Sequence, residues 1–461
     1  MMTVAFYTQH FGNWQILGAF IFIVLAIAIS RFFKLNLGKD LLVASIRTIL
    51  QLITVGYVLR WLLHTDSIST NLLVLFVMTL VAAQASYSRL KEKTWRIYLA
   101  IFAAIFVSVW PLGFLTIQLF FGGDAFLQSL FFIPFMGVLM GNTLSAISLS
   151  FVGLERARRE SLLEIETMKA LGASAFEACH RLYNETLRNA LTPMINGMTV
   201  VGIVSLPGVM SGQLIGGVDP LIAARFQILV MFVITFTAML GALAAIFITH
   251  YYFMPAWLLQ KSEGMGFNFP TGARVLLQGP SGVGKSRLLK SLVGLDTTDV
   301  YKNITLPSGW TLLKSKNPGL IMYVPQKAYF IPGTVLENLQ YPLEFKKHCS
   351  EKFSEKFFQE NLAKLGMSTE LLHKNAMTLS GGEAQVVHLL RSLQFKPQVL
   401  LLDEITAALD AERTSLVESF LKDWVETHKD RQLVFISHRK EQSTSLANHS
   451  LTLEPGKLIL N

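Results

Sequence analysis

Between residues 13 and 252 the sequence holds seven apolar stretches, near 13–31, 41–63, 70–88, 97–120, 126–152, 190–214 and 221–252. Each is long enough to cross about 30 Å of hydrocarbon as a helix. In lipid every backbone N–H and C=O must be paired within the segment, so this spacing commits the first half of the chain to a helical bundle. Composition agrees. The 461 residues are 52% hydrophobic and only 15% charged, where soluble domains carry about a quarter. The charge is also uneven: about one residue in nine up to residue 262, and about one in five beyond it, close to an ordinary soluble domain.

The loops between these stretches sort by Lys and Arg. Arg31, Lys34 and Lys39 follow the first stretch, Arg89, Lys91, Lys93 and Arg96 the third, and Arg156, Arg158, Arg159, Lys169, Arg181 and Arg188 occupy the long fifth loop, 153–189. The loops around 64–69, 121–125 and 216–220 carry none. Positive loops stay inside, so the N-terminus is expected outside and everything after the seventh span in the cytosol. That places the chain in the cytoplasmic (inner) membrane as a multi-pass protein. The first stretch contains the small-x-small pattern Ala26-Ile27-Ala28, but no positive charge precedes it and Arg31 and Lys34 follow, so it reads as an uncleaved anchor and not as a signal peptide. The net charge of +9 is largely this anchoring. No basic block interleaved with aromatics accompanies it, and no nucleic-acid partner is expected. Cys179 and Cys349 form no disulfide framework and are expected to be free thiols.

Loop 153–189 reads as two amphipathic helices about a break at Leu171-Gly172-Ala173. Within the spans Arg47, Gln51, Gln84, Asn142, Asn196 and Arg225 are polar groups at membrane depth, functional candidates by their cost, although Arg47 and Arg225 also admit snorkelling. Pro134, Pro193 and the run Ser205-Leu-Pro-Gly208 are expected to kink or unwind their helices, with 205–213 as the wall of a pathway. The methionines Met136, Met140, Met194, Met198 and Met210 are read as adaptable packing ahead of soft-metal ligands.

In the soluble half a buried strand, Arg274-Val-Leu-Leu-Gln278, runs into Gly279-Pro280-Ser281-Gly282-Val283-Gly284-Lys285-Ser286 and then a helix. This is the phosphate-loop pattern in the strand–loop–helix setting it requires. Its glycines let backbone N–H groups point at phosphate beside a helix N-terminus, Lys285 reaches the β and γ phosphates, and the Ser286 hydroxyl is a Mg²⁺ ligand. Downstream, Val399-Leu-Leu-Leu-Asp403-Glu404 ends an apolar strand in two acids, Asp403 for the metal and Glu404 as general base for the attacking water.

These elements, with Leu379-Ser380-Gly381-Gly382-Glu383, Gln326 in Tyr-Val-Pro-Gln, Asp410 in Ala-Leu-Asp and His438 after Gln432-Leu-Val-Phe-Ile, resemble the ABC ATPase family in both kind and order. The resemblance implies a P-loop α/β core with a helical subdomain near 336–395 and ATP and Mg²⁺ as cofactors. It implies that Gln326 senses the metal, that His438 holds the γ-phosphate, and that Ser380, Gly381 and Gly382 complete the ATP site of a second copy. Asp410 joins the nucleotide-binding set. Three departures accompany it: Val386 stands in place of the usual Arg, Arg439 in place of the usual Asp, and the antiparallel strands before the phosphate loop are cut short. Phe253 and Trp257 are the candidates for an adenine-stacking aromatic, although a membrane-interface role suits both.

Glu166-Thr-Met-Lys-Ala-Leu-Gly172 resembles the loop by which ABC permeases dock on their ATPase. Residues 37–252, with Arg47-Thr-Ile-Leu-Gln51 and the run from Ser205 to Pro220, look like the Fet-type iron-export permeases, and the soluble half looks like their ATPase partner, here fused behind it. The expected architecture is an all-α polytopic membrane domain of about seven helices at 1–260, with a coupling loop at 153–189, then an α/β ABC ATPase domain at 261–461. The implied function is ATP-driven export of iron or a similar metal ion by a homodimer, an ATP hydrolase coupled to transport. The alternatives are another small cargo such as a sugar nucleotide, or a membrane ATPase that transmits motion to a partner without transport.

Overall fold

The computed structural model describes residues 13–62, 67–90, 93–254, 258, 264–268, 272–296, 311–315, 321–437, 445–454 and 457–460. The chain divides into two compact units: residues up to Gly153 with Glu185–Ile248, and Leu154–Asn184 with everything from Thr249 onward.

The first unit is built on long apolar helices: α1 (Asn13–Phe32), α2 (Gly38–Leu62), α3 (Ile68–Tyr87), α4 (Trp95–Phe120) and α5 (Ser129–Glu160). After α6 (Leu162–Ala170) and α7 (Ala175–Ala178), which belong to the second unit, come α8 (His180–Val200), α9 (Gly208–Ile215) and α10 (Pro220–Phe253). Five of them, α2, α3, α4, α5 and α10, are long and apolar enough to cross a membrane, while the apolar part of α1, Gly18–Phe32, is shorter. Small residues let the central helices approach, as membrane helices require in place of a hydrophobic driving force. Ala146 of α5, Ala190 of α8 and Ala238 and Ala242 of α10 form one buried cluster, and a Cβ on Gly241 would come within 2.5 Å of Thr143 Cγ2. Several polar groups here are paired between elements: Trp110 Nε1 donates to Thr79 Oγ1 at 3.1 Å, Ser148 to Ser86 at 2.9 Å, and Asn71 Nδ2 to the Phe126 carbonyl at 3.0 Å.

Here the structure departs from the sequence expectation, which set the interruption of the sixth stretch at Ser205–Gly208. The stretch 190–214 is not one helix: α8 stops at Val200, Val201 and Ser205 form an isolated bridge, and helix resumes at Gly208. Gly202 turns the chain with φ of 81° and its N–H donates to the Ser205 carbonyl, while Pro207 starts the next helix in extended backbone. The unwound segment is therefore 201–207, and most of the expected pathway wall, 208–213, is helical. Pro111, Pro134 and Pro193 lie inside continuous helices, so neither Pro134 nor Pro193 unwinds its segment.

In the second unit, α6 and α7 are followed by β1 (Gly264–Asn268), β2 (Arg274–Gln278), α11 (Lys285–Leu292), β3 (Thr311–Ser315) and β4 (Ile321–Val324). A helical stretch follows, α12 (Val335–Gln340), α13 (Glu355–Lys364) and α14 (Gly381–Leu393), and then β5 (Val399–Asp403), α15 (Ala411–Glu426), β6 (Gln432–Ile436), β7 (His449–Glu454) and β8 (Lys457–Leu460). The main sheet has the order β4-β5-β6-β2-β7-β8, parallel except for the last pair. Its strands read as continuous apolar runs because both faces are covered. Leu276, Met322, Leu400, Leu402 and Phe435 point into the core with α14 and α15. Their neighbours Val275, Leu277, Tyr323, Leu401 and Val434 point to the other face with α11 and Ala170 of α6. The strands ahead of the phosphate loop are shortened but not lost, since β1 pairs antiparallel with β3 from Gly264 opposite Ser315 to Asn268 opposite Thr311.

Candidate nucleotide site and the loop docked beside it

The site lies at the carboxyl ends of the parallel strands, where open α/β sheets bind ligands. The phosphate loop leaves β2 at Gly279, whose φ is 141° and where a Cβ would sit 2.6 Å from the Leu453 carbonyl oxygen. Gly284 starts α11 in the left-handed region, φ 104°. Both positions require glycine. Pro280, Ser281 and Gly282 are exposed at the mouth, while Lys285 is buried and its Nζ donates to the carbonyls of Gly279 at 2.8 Å and Pro280 at 3.0 Å. Val283 packs on the core behind the loop.

Asp403, at the end of β5, is buried and held from two sides. Ser286 Oγ donates to Oδ1 and the Tyr323 hydroxyl to Oδ2, both at 3.0 Å. Burial lifts its carboxyl above the usual carboxylate range, against the pull of those two hydrogen bonds. Glu404 follows with a positive φ of 53°, a conformation that a non-glycine residue holds only at a cost. Its N–H donates to the Ile436 carbonyl at 3.2 Å, and Oε2 accepts from Gln326 Nε2 at 2.7 Å. So β4 and the turn after it supply one donor to each acid, Tyr323 to Asp403 and Gln326 to Glu404. Gln385 Nε2 in turn donates to the Gln326 carbonyl.

Ser380 caps α14: its Oγ accepts from Glu383 N at 3.3 Å and its own N–H donates to Glu383 Oε2 at 2.8 Å, with Lys374 paired to Glu383 at 3.0 Å. Ser380 and Gly381 are exposed, and Gly382 is pressed so close to Leu409 that a Cβ would lie 3.1 Å from Cδ2. Among the described residues no hydrogen bond joins Ser380 to the phosphate loop. Asp410 caps α15 through Arg413 N at 2.8 Å, and Val386 is buried in the core. The structure thus brings together Lys285, Ser286, Gln326, Asp403 and Glu404 and leaves Ser380–Gly381 facing outward. His438, Arg439 and Trp257 lie outside the described residues, as does the side chain of Phe253.

Beside this site, in the same unit, the loop of residues 154–184 packs on the nucleotide domain. Glu166 Oε2 of α6 pairs with Lys290 Nζ of α11 at 2.8 Å. Arg181 holds buried Glu164 through Nε at 2.6 Å and reaches the Tyr329 hydroxyl at 3.0 Å, and Tyr329's carbonyl accepts from buried Arg391 at 2.8 Å. At the break, Gly172 has φ of 98° and a Cβ there would stand 2.6 Å from His348 Nε2. His348 Nε2 donates to the Leu171 carbonyl at 2.9 Å and its ring stacks on Phe395 at 3.8 Å. Glu177, which closes a capping box with Ser174, also accepts from Lys346 N at 2.8 Å. Cys179 is a buried free thiol, pushed up to about 11 by burial, and Cys349 an exposed one. Tyr323, Lys290, Arg181, Tyr329 and His348 were not singled out by the motifs. Tyr323 and Lys290 each sit three to five residues from one, at Gln326 and Lys285.

Comparison with known families accounts for both halves. Residues 13–254 match the model of the uncharacterised protein family UPF0014, and residues 262–407 that of the ABC transporter ATP-binding domain. Over 243 residues the chain is 34% identical to the probable iron export permease protein FetB of Escherichia coli (strain K12), covering 53% of this chain and 92% of that protein. It is 31% identical over 217 residues to the UPF0014 membrane protein YjkA of Bacillus subtilis (strain 168), covering 46% of this chain and 83% of that protein. Over 202 residues it is 30% identical to the probable iron export ATP-binding protein FetA of E. coli K12, covering 42% of this chain and 84% of that protein. The chain belongs to the UPF0014 family, as a multi-pass membrane protein in which the permease is continuous with an ABC transporter ATP-binding domain.

Proposed function

We propose that the chain exports iron or a similar metal ion, driven by ATP, as a homodimer in the cytoplasmic membrane with the N-terminus outside and the nucleotide domain in the cytosol. Residues 1–260 act as the permease and 261–461 as the ATPase, with 153–189 coupling them. The carrying observation is the ion pair between Glu166 and Lys290, which ties the loop between two membrane helices to the helix that begins in the phosphate loop. Iron as cargo rests on the names of FetB and FetA, each similar to one half of this chain.

In this reading Lys285 and the N–H groups of the phosphate loop, from Gly279 to Ser286, bind the phosphates. Ser286 and Asp403 are adjoining hard oxygen donors, and a cation would relieve the burial that lifts Asp403, so the pair fits Mg²⁺, with Gln326 beside it. When bound, Mg²⁺ neutralises charge on the β and γ oxygens. Glu404 accepts a proton from water as that oxygen bonds to the γ-phosphorus and the bond to the bridging oxygen breaks, releasing ADP and phosphate. Gln326 fixes the Glu404 carboxylate, and His438 steadies the γ-phosphate. Ser380, Gly381 and Gly382 close the site of the other copy, and Asp410, which caps α15, sits with the nucleotide-binding residues. The test is ATPase activity and vesicle uptake by the purified protein with Fe²⁺, Mn²⁺, Zn²⁺ and Cu⁺. Fe²⁺ is expected to stimulate both, and Glu404→Gln to lower both by about 100-fold or more. Silence toward all four metals removes the metal-export reading, and pumping by the Glu404→Gln variant at the parent rate removes the mechanism.

A further inference from the structure

α2 is apolar between Asp40 and Arg60 apart from a few side chains, and that interval rises about 30 Å, the thickness of the hydrocarbon core. Arg47 lies about 4.5 Å along the axis from its midpoint and Gln51 about 1.5 Å. At 100° per residue, Arg47, Gln51 and Thr54 fall within about 60° of one another, and Val58 falls inside the same stripe. The half-buried residues of α2, Gly38, Leu41, Ser45 and Leu59, lie on the opposite side, where Gly38 approaches Ile27 of α1. None of α2's apolar window is buried: residues 46–58 are exposed on every side, the polar stripe among them, and the buried residue of α2 is Leu62 at its end. Thr48 and Thr54 satisfy their hydroxyls on the carbonyls of Ala44 and Leu50, each at 2.8 Å. Among the described residues the side chains of Arg47 and Gln51 form no hydrogen bond.

A guanidinium and a carboxamide at this depth are costly in hydrocarbon and in membrane proteins face protein or water. We propose that the stripe Arg47–Gln51–Thr54–Val58 is the surface on which a second copy of this chain packs. The proposal rests on the homodimer proposed above and adds the surface that forms it within the membrane. A two-fold axis along the membrane normal sets both copies of α2 at the same depth and presents the same stripe from each side. Gln51 lies one helical turn from Arg47, so its side-chain oxygen can accept from the other copy's guanidinium.

The test places the photo-cross-linker p-benzoylphenylalanine at Val58, inside the stripe, or at Leu52, exposed on another flank of α2, in the full chain in membrane vesicles. A covalent dimer on illumination is expected from position 58 and not from 52. Combining Arg47→Leu with Gln51→Leu should cut the yield at 58 at least tenfold, with the doubly substituted chain's topology matched to that of the unsubstituted chain by protease protection. Adducts only to lipid at 58, or a yield untouched by the double substitution, overturn the surface. The copy number in detergent, from light scattering, separates the two readings: two copies with lipid adducts at 58 leaves the homodimer standing and removes this interface, whereas a single copy removes both.

Discussion

Asp403 is oriented by two hydroxyls from different elements, Ser286 and Tyr323, and a hydrogen bond to a charged acceptor is worth about 1.5–3 kcal/mol. Tyr323→Phe keeps the ring in its packing and removes only that bond. The Mg²⁺ concentration for half-maximal ATPase activity should then rise about tenfold or more, while nucleotide binding without Mg²⁺ is unchanged; an unaltered Mg²⁺ titration would show that Tyr323 is core and nothing else. The phosphate loop and the acids at 403 and 404 were legible because their chemistry demands fixed spacing in one strand–loop setting. Tyr323 was not, because in the sequence it is one more large residue in a buried strand. Only its place opposite β5, with Tyr323 in register with Leu401, turns its hydroxyl toward Asp403. Ser380 and Asp410 carried a second identity that the motif did not spell out, as the N-caps of α14 and α15.

Among the elements, loop 154–184 holds to the nucleotide domain by charges and one ring. Reversing one charge, Glu166→Lys or Lys290→Glu, should uncouple transport from hydrolysis, and the double reversal should restore much of it. Flux per ATP in proteoliposomes measures this, and a double reversal no better than either single change would place the coupling elsewhere. His348 adds a pH dependence. Burial holds its ring below the ordinary histidine range, against the Leu171 carbonyl, with Lys347 disfavouring the proton and Glu351 and Glu177 favouring it. The docked ring binds fewer protons than the undocked one, so its contribution to docking is fully present above the undocked value of about 6.5 and is lost as pH falls from there toward the lower docked value. Hydrogen exchange of residues 162–178 should therefore rise between pH 7 and 5.5, and His348→Phe should flatten that rise. The break at Leu171-Gly172-Ala173 was readable from its glycine, but in place of two amphipathic helices the segment holds α6, the four-residue α7 and the start of α8. The interruption at 201–207 was foreseen from the same kind of signal but placed too far along: Pro207 begins a helix as readily as it ends one, and Gly202 makes the turn.

For the whole molecule, the proposed homodimer has the outward-facing Ser380 of each chain completing the phosphate loop of the other copy. A chain carrying Lys285→Ala and one carrying Ser380→Arg should each be inactive alone. Co-expressed, half of the pairs are mixed and half of their sites intact, so about a quarter of the parent ATPase activity should return; none returning would mean that each chain completes its own site. The seven-span count came from hydropathy, which registers apolar length; the break within the sixth stretch was read separately, from Pro207 and Gly208. The fusion has a further consequence. The docking loop is anchored at both ends by the helices α5 and α8, and the nucleotide domain follows directly on α10. Their encounter is intramolecular, at an effective concentration in the millimolar range that short linkers provide. Each contact can then be individually weak and still be made nearly all the time, so the loop can let go and rebind within every cycle without the ATPase ever diffusing away or being exchanged for another permease's.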